Sequence, residues 1–120
     1  MARVFTILIV DDEEAIRDVA GAILASAGYR VLTAADGNQA IGLLRAEPID
    51  LLFTDIIMPG VSGYELALAA KRLRPELRVL YSSGFPGRSH HATVVPRAHM
   101  LPKPWRAQQL VSEIDHALVS

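Results

Sequence analysis

The sequence predicts an α/β protein in which a doubly wound parallel sheet of five strands is covered by helices on both faces. Two observations lead to this fold class. Short apolar runs, typical of buried strands, alternate with stretches that repeat apolar residues at helical spacing. This alternation favours parallel strands joined by right-handed helical crossovers. The chain has 120 residues, 51% of them hydrophobic, so we expect residues 1–120 to form one domain.

The composition narrows the possible functions. The formal net charge is −1 and the charges are mixed along the chain, which predicts no surface for nucleic acid or an anionic membrane. The absence of cysteine excludes disulfides and thiol chemistry. No apolar run is long enough to span a membrane, and the N-terminus lacks the features of a signal peptide. We therefore expect a cytoplasmic protein that binds neither nucleic acid nor membrane directly.

The first strand, residues 4–10, runs into four acids that begin with Asp11 and Asp12. Acids suit the first turn of a helix, where the macrodipole is positive, but this explains less well why two aspartates sit at the strand tip. Residues 15–27 repeat apolar residues at helical spacing. Residues 29–34 form a second strand with no polar residue at its tip, which suits the edge of a sheet.

The third strand carries the residue on which the site prediction depends. Its continuous apolar run is Leu51, Leu52 and Phe53, and Asp55 stands at its C-terminal tip. Met58-Pro59-Gly60 then stops the extended structure, because proline lacks an N–H and glycine permits a positive φ. Taken alone, an aspartate here could equally begin the turn. A functional role for Asp55 therefore depends on whether other polar groups lie at the same edge of the sheet.

The helices that flank this strand have clear start signals. Asp36 can cap a helix that Pro48 closes. Ser62 and Glu65 fit a capping box, with serine as the N-cap and glutamate three residues later, for a helix that continues over residues 66–73.

The last third of the chain adds two more strands. Residues 78–82 form the fourth strand, which is tipped by Ser83. Residues 85–99 contain two prolines and a glycine, so we expect a shortened or irregular fourth helix there. A short fifth strand, residues 98–101, leads to Lys103, and an amphipathic helix closes the chain.

The polar residues at the strand tips predict a phosphoryl site. Parallel strands bring their carboxyl ends to one edge, which would unite Asp11, Asp12, Asp55, Ser83 and Lys103. Oxygen-rich carboxylate clusters suit Mg²⁺, and lysine and serine can bind phosphate oxygens. An aspartate carboxylate can itself be the nucleophile and form an acyl phosphate. Asp55 is the best placed for that role.

These residues resemble the receiver domain of response regulators in two-component signalling, over nearly the whole chain. Each motif is short, but their order and spacing together are specific. The motifs are Val10-Asp11-Asp12-Glu13, Asp55 with Met58-Pro59-Gly60, Ser83-Gly84, and Lys103-Pro104. The resemblance implies a flavodoxin-like fold with strand order 2-1-3-4-5.

The resemblance also implies a signalling function rather than that of an enzyme. Asp55 would accept a phosphoryl group from the phosphohistidine of a sensor histidine kinase or a histidine phosphotransfer protein. Phosphorylation would then change binding to an output partner protein that the sequence does not identify. The Ser-Ser-Gly-Phe stretch is similar to that of receivers in hybrid sensor kinases or small single-domain receivers, rather than DNA-binding regulators.

The resemblance gives each remaining site residue a role. Lys103 would contact the phosphoryl oxygens, and its peptide bond to Pro104 would be cis. Ser83 would turn toward the phosphoryl group when it arrives. The groups that would hold Mg²⁺ are Asp11, Asp12, Asp55 and the backbone carbonyl of Ile57.

The chain departs from the family pattern at several positions. Met100 stands where the family usually has a Tyr or Phe that moves on activation. Ile57 and Phe85 occupy two positions that tune the phosphoryl lifetime, and neither apolar side chain can orient a water. We therefore expect slow self-dephosphorylation. Trp105, beside the lysine, is expected to be a packing anchor rather than a ligand stack.

Three other functions are alternatives to this one. An Asp-nucleophile phosphatase or transferase would carry a second acid two residues after Asp55, where Ile57 stands. A nucleotide-binding module would carry a glycine-rich loop after the first strand, where this chain has acids that repel phosphate. The third alternative is a receiver-like interaction scaffold that is not regulated by phosphorylation.

Overall fold

The computed structural model describes residues 3–84 and 99–119, and within them the chain forms five strands and four helices. Each of the first three strands is followed by a helix, which confirms the predicted α/β class. In chain order the elements are β1 (Thr6–Val10), α1 (Glu14–Ser26), β2 (Arg30–Ala34), α2 (Gly37–Ala46), β3 (Leu51–Asp55), α3 (Gly63–Leu73), β4 (Arg78–Ser83), β5 (Met100–Pro102) and α4 (Ala107–Val119).

The sheet is parallel throughout, with the strand order β2-β1-β3-β4-β5. This confirms the predicted order and places β2 at an edge. The winding reverses between β1 and β3, because β2 lies on one side of β1 and β3 on the other. Ligands of such sheets bind outside the carboxyl ends of the strands at the point of reversal. Asp11 directly follows β1 and Asp55 ends β3, so both acids lie there.

Each face of the sheet has its own hydrophobic core, as β1 illustrates. Ile7 and Ile9 pack on one face with residues of α1 and α4, whereas Leu8 and Val10 pack on the other with residues of α2 and α3. All four side chains are at most 1% exposed. Strands that are buried on both faces have continuous apolar sequences rather than alternating ones, which is the pattern seen in this chain.

The predicted helix caps are present. The Asp36 carboxylate accepts a hydrogen bond from the backbone N–H of Gln39 at 2.8 Å. In the capping box, the Glu65 N–H donates to Ser62 Oγ at 3.2 Å, and the Ser62 N–H donates to Glu65 Oε1 at 3.1 Å. Gly28 follows the C-cap of α1 with a φ of +100°, a conformation that favours glycine. Both N-terminal caps are therefore confirmed.

The ends of the strands differ slightly from the prediction. β1 begins at Thr6 rather than at residue 4, because its pairing with β2 begins there. β5 extends to Pro102, one residue beyond its predicted end. The predicted irregular helix falls in residues 85–99, which lie outside the described residues apart from His99. Of the helices in the described ranges, none has the length and hydropathy needed to cross a membrane.

Candidate functional site

Three aspartates converge at the carboxyl edge of the sheet. Side-chain oxygens of Asp11, Asp12 and Asp55 lie within 4.8 Å of one another. Asp11 is 2% exposed and Asp55 is 8% exposed, whereas Asp12 faces solvent. Carboxylates this close oppose each other's ionisation, so the cluster favours a bound cation. The fold thus unites acids that are more than 40 positions apart in the chain.

Lys103 places its ammonium group between two of these carboxylates. Its Nζ lies 2.8 Å from Asp11 Oδ2 and 3.6 Å from Asp55 Oδ2. The backbone N–H of Lys103 donates to the carbonyl of Ser83 at 2.8 Å, which holds the residue against the tip of β4. The Lys103–Pro104 peptide is cis, as the resemblance implies.

The charges of the site shift the pKa values of Asp55 and Lys103. Burial raises the pKa of Asp55, the Lys103 charge lowers it, and the charges of Asp11 and Asp12 raise it, so that it ends above its ordinary value. Burial lowers the pKa of Lys103, but its hydrogen bond to Asp11 and the charges of Asp55 and Asp11 outweigh burial, and the lysine pKa is raised. A further cation beside Asp55 would therefore favour the ionised, nucleophilic carboxylate.

The donor atoms of the acidic cluster suit Mg²⁺. Within residues 3–84 and 99–119, the group of candidate metal ligands consists of aspartates alone. Mg²⁺ prefers hard oxygen donors, binds a few carboxylates, and keeps its other positions for water and phosphate oxygens. A partly exposed group of three aspartates meets these requirements, so the residues present fit this ion.

The turn that follows Asp55 is held by backbone contacts that require a glycine. The N–H of Gly63 donates to the carbonyl of Ile56 at 2.8 Å, and the N–H of Ile56 donates to the carbonyl of Ser82 at 3.1 Å. A Cβ on Gly63 would lie 2.2 Å from the backbone oxygen of Asp55. This role was not predicted, although its signal was present: a glycine immediately after the N-cap of α3.

Ser83 ends β4, and Trp105 contacts the residue before it. Ser83 is the last residue of β4 and is 1% exposed, and the residue before it, Ser82, pairs with Asp55 across the sheet. The indole N–H of Trp105 donates to Ser82 Oγ at 3.3 Å. The Trp105 ring packs edge-on against Phe53, with 6.2 Å between ring centroids. The predicted packing role of Trp105 is confirmed, and its hydrogen bond to Ser82 is an addition to it.

Of the two positions expected to tune the phosphoryl lifetime, the structure describes Ile57 but not Phe85. Ile57 lies in the turn after Asp55, and its side chain is 57% exposed. Phe85 lies outside the described residues. The roles assigned to Asp55, Ser83, Lys103 and the Ile57 carbonyl remain predictions.

Comparison with known proteins identifies the class to which this fold and this acidic site belong. The chain belongs to the response regulator receiver domain family, whose model matches residues 7–115. Members of this family are signalling domains of two-component systems. One curated relative is the response regulator receiver protein CpdR of Brucella abortus, which is 35% identical over 116 residues, 95% of this chain and 97% of the relative.

Solved structures agree with this assignment. A CheY-like response regulator receiver domain protein from Methanospirillum hungatei is 30% identical, with a TM-score of 0.87 over 98% of this chain and 95% of that one. The receiver domain of the hybrid histidine kinase CckA is 35% identical, with a TM-score of 0.80 over 94% of this chain and 98% of that one. Other curated relatives are longer, and the chain spans 24% and 50% of two of them.

Proposed function

We propose that this protein is a phosphorylation-dependent signalling receiver whose phosphoacceptor is Asp55. The phosphoryl donor is a phosphohistidine on a sensor histidine kinase or a histidine phosphotransfer protein. One observation carries the proposal: Lys103 lies between Asp11 and Asp55 in a cluster whose three carboxylates come within 4.8 Å of one another. An isolated structural ion pair would need one carboxylate, whereas phosphoryl transfer needs a nucleophile, a cation site and a phosphate-binding lysine together.

The chemistry of the transfer follows from these groups. A carboxylate oxygen of Asp55 attacks the phosphorus, a P–O bond forms, and the P–N bond of the phosphohistidine breaks, with its electron pair returning to the imidazole. The Lys103 ammonium, already 3.6 Å from Asp55, donates hydrogen bonds to the phosphoryl oxygens and offsets their charge. Ser83, at the tip of the neighbouring strand, offers a hydroxyl donor to the same oxygens.

The groups that would hold Mg²⁺ are the carboxylates of Asp11, Asp12 and Asp55 and the backbone carbonyl of Ile57. Bound there, the ion supplies positive charge that offsets the charge on the phosphoryl oxygens during transfer. Asp11 and Asp12 keep the ion next to the acceptor, and the exposure of Asp12 leaves the site open to solvent and to a donor protein.

The partners follow from the same proposal. The donor is a sensor histidine kinase or a histidine phosphotransfer protein, and the output is an unidentified protein rather than DNA or a membrane. The protein is expected to act in the cytoplasm, where such donors present their phosphohistidines. The alternative function, an interaction scaffold that is not regulated by phosphorylation, makes the opposite prediction about Asp55.

The deciding experiment is intact mass spectrometry after incubation with acetyl phosphate, with and without Mg²⁺. We expect wild type to gain the mass of one phosphoryl group only when Mg²⁺ is present, and Asp55→Asn to gain none. Asp18→Asn is the matched control, because Asp18 is an exposed aspartate of α1. It should be phosphorylated like wild type.

Two results would overturn the proposal. Absence of an adduct on wild type in the presence of bound Mg²⁺ would favour the scaffold. An adduct of equal size on Asp55→Asn would show that the acceptor is another residue.

A further inference from the structure

The loop between β1 and α1 carries two of the three clustered acids and is held by hydrogen bonds to Asp11. Glu13 is the N-cap of α1, and within the described residues its side chain makes no capping hydrogen bond. Its backbone N–H instead donates to Asp11 Oδ1 at 2.9 Å. The other oxygen of the same carboxylate accepts from Lys103 at 2.8 Å. Both oxygens of Asp11 therefore already have partners, and the carboxylate has a defined orientation.

Arg17 holds the backbone of Asp11. Its Nη1 donates to the carbonyl oxygen of Asp11 at 2.8 Å from a half-buried position on α1. The Arg17 backbone N–H donates to the carbonyl of Glu13 at 3.1 Å, and the Asp11 N–H donates to the carbonyl of Ala34 on β2 at 3.3 Å. Asp11 is thus fixed through its N–H, its carbonyl and its carboxylate. Arg17 is the side chain that ties the loop to α1.

The positive charge of Arg17 is unfavourable at this position, both for the helix and for cation binding nearby. A cation near the N-terminal end of a helix opposes the macrodipole, although this effect weakens beyond the first turn. A cation close to the acidic cluster would also repel an incoming divalent ion. Helical side chains lean toward the N-terminus, which directs Arg17 back to the loop. Its planar guanidinium can hold a carbonyl with a fixed geometry that an ammonium group does not provide.

We propose that Arg17 is a positioning residue for the magnesium site, which fixes the β1–α1 loop so that Asp11 and Asp12 present their carboxylates beside Asp55. The proposal rests on the function proposed above, because it assigns a role in the same Mg²⁺ site. Groups that orient metal ligands through hydrogen bonds typically contribute about 10–100-fold to metal affinity. Positioning by Arg17 would strengthen Mg²⁺ binding, whereas its positive charge would weaken it. The sign of the change in the Kd for Mg²⁺ therefore tests the proposal.

The test is isothermal titration calorimetry with MgCl₂ on wild type, Arg17→Met, Arg17→Lys and the exposed-arginine control Arg45→Met. We expect the Kd for Mg²⁺ to rise about tenfold in Arg17→Met. Arg17→Lys, which keeps a donor for the Asp11 carbonyl, should recover part of this loss, and Arg45→Met should bind like wild type. Circular dichroism in EDTA shows that each variant is folded, and if Arg17→Met is not, Arg17→Lys and Arg17→Gln give the same comparison.

The possible outcomes separate this inference from the proposed function. If Arg17→Met binds Mg²⁺ as well as wild type or more tightly, Arg17 acts only as a repelling charge and the inference is wrong. If wild type itself binds no Mg²⁺, the proposed function fails and this inference fails with it. Weaker binding in Arg17→Met with partial recovery in Arg17→Lys supports both.

Discussion

Lys103 and Asp11, 92 positions apart in the chain, form an ion pair of 2.8 Å at the carboxyl edge of the sheet. The same ammonium group is 3.6 Å from Asp55, the proposed phosphoacceptor. The lysine therefore neutralises the most buried acid of the cluster. A divalent ion bound by the same acids would compete with Lys103 for the charge of Asp11.

Replacing Lys103 should lower the stability of the protein but strengthen its binding of Mg²⁺. We expect Lys103→Met to lower the free energy of unfolding by about 1–3 kcal/mol in EDTA, less than for a fully buried pair because Lys103 is 16% exposed. The same variant should bind Mg²⁺ more tightly, since the competing cation is gone. Denaturant titrations and calorimetry measure the two effects. Lys71→Met, at an exposed position of α3, is the control and should change neither; weaker Mg²⁺ binding by Lys103→Met would contradict the competition.

Neutralising Asp55 should make the protein without metal more stable. Burial and the neighbouring acids disfavour the ionised carboxylate, so the folded state has a raised pKa at Asp55. Wild type therefore loses stability as pH rises through that pKa, and Asp55→Asn does not. Thermal unfolding in EDTA should show a higher Tm for Asp55→Asn at pH 7, with the difference shrinking as the pH is lowered. A lower Tm for Asp55→Asn at pH 7 would show that Lys103 outweighs these costs.

Gly63 should tolerate no side chain. We expect Gly63→Ala to destabilise the protein by about 1–3 kcal/mol, because its Cβ would overlap the Asp55 backbone and force a shift. Gly42→Ala, in α2 with nothing within 4 Å of the added Cβ, should instead stabilise by about 0.5–1 kcal/mol through helix propensity. Urea unfolding should show that the free energy of unfolding falls in Gly63→Ala and rises in Gly42→Ala. Equal stabilisation of both variants would contradict the steric role of Gly63.

Ile57 should prolong the phosphorylated state, if Asp55 is the acceptor. Its exposed apolar side chain lies in the turn after Asp55 and cannot hold an attacking water. Ile57→Asn adds an amide that can orient one, so we expect the phosphoryl group to decay roughly two- to tenfold faster, well short of full general-base catalysis. Decay is followed by intact mass after removal of the donor, with Leu68→Asn, on an exposed residue of α3, as control. Phe85→Glu is expected to act in the same direction, and unchanged decay in both variants would contradict slow self-dephosphorylation.

Tyr29 should contribute stability that is lost at high pH. Its hydroxyl donates a hydrogen bond to Asp115, and burial together with that bond and charge raises the pKa of Tyr29 from 10.0 to about 12. The protonated phenol is favoured by folding, so its contribution is complete below pH 10 and disappears toward pH 12.

For this exposed pair we expect Tyr29→Phe to lower the free energy of unfolding by at most about 1 kcal/mol at pH 8. The difference from wild type should vanish near pH 12, and Asp115→Ala, which removes the acceptor, should behave like Tyr29→Phe. A difference that is independent of pH would show that the ring, rather than the hydroxyl, carries the effect.

Local patterns in the sequence were sufficient to predict the elements and several of their ends. The apolar runs of β1 and β3 indicate strands buried on both faces, and both cores are built on them. The Ser62–Glu65 capping box and the Asp36 cap are formed as predicted, because a cap depends only on residues three positions apart. Strand ends were less predictable, since the first residue of β1 depends on where β2 pairs with it.

The positions of the chemistry-bearing residues along the chain are enough to place them at the carboxyl edge of the sheet, because each stands at a strand tip and parallel strands end together. How these residues meet depends on the packing of the whole fold. The closer approach of Lys103 to Asp11 than to Asp55, the hold of Arg17 on the Asp11 carbonyl and the contact of Gly63 with the Asp55 backbone all depend on it. Such contacts join separate elements. Small differences between their distances are set by sheet register and helix packing, which no local pattern encodes.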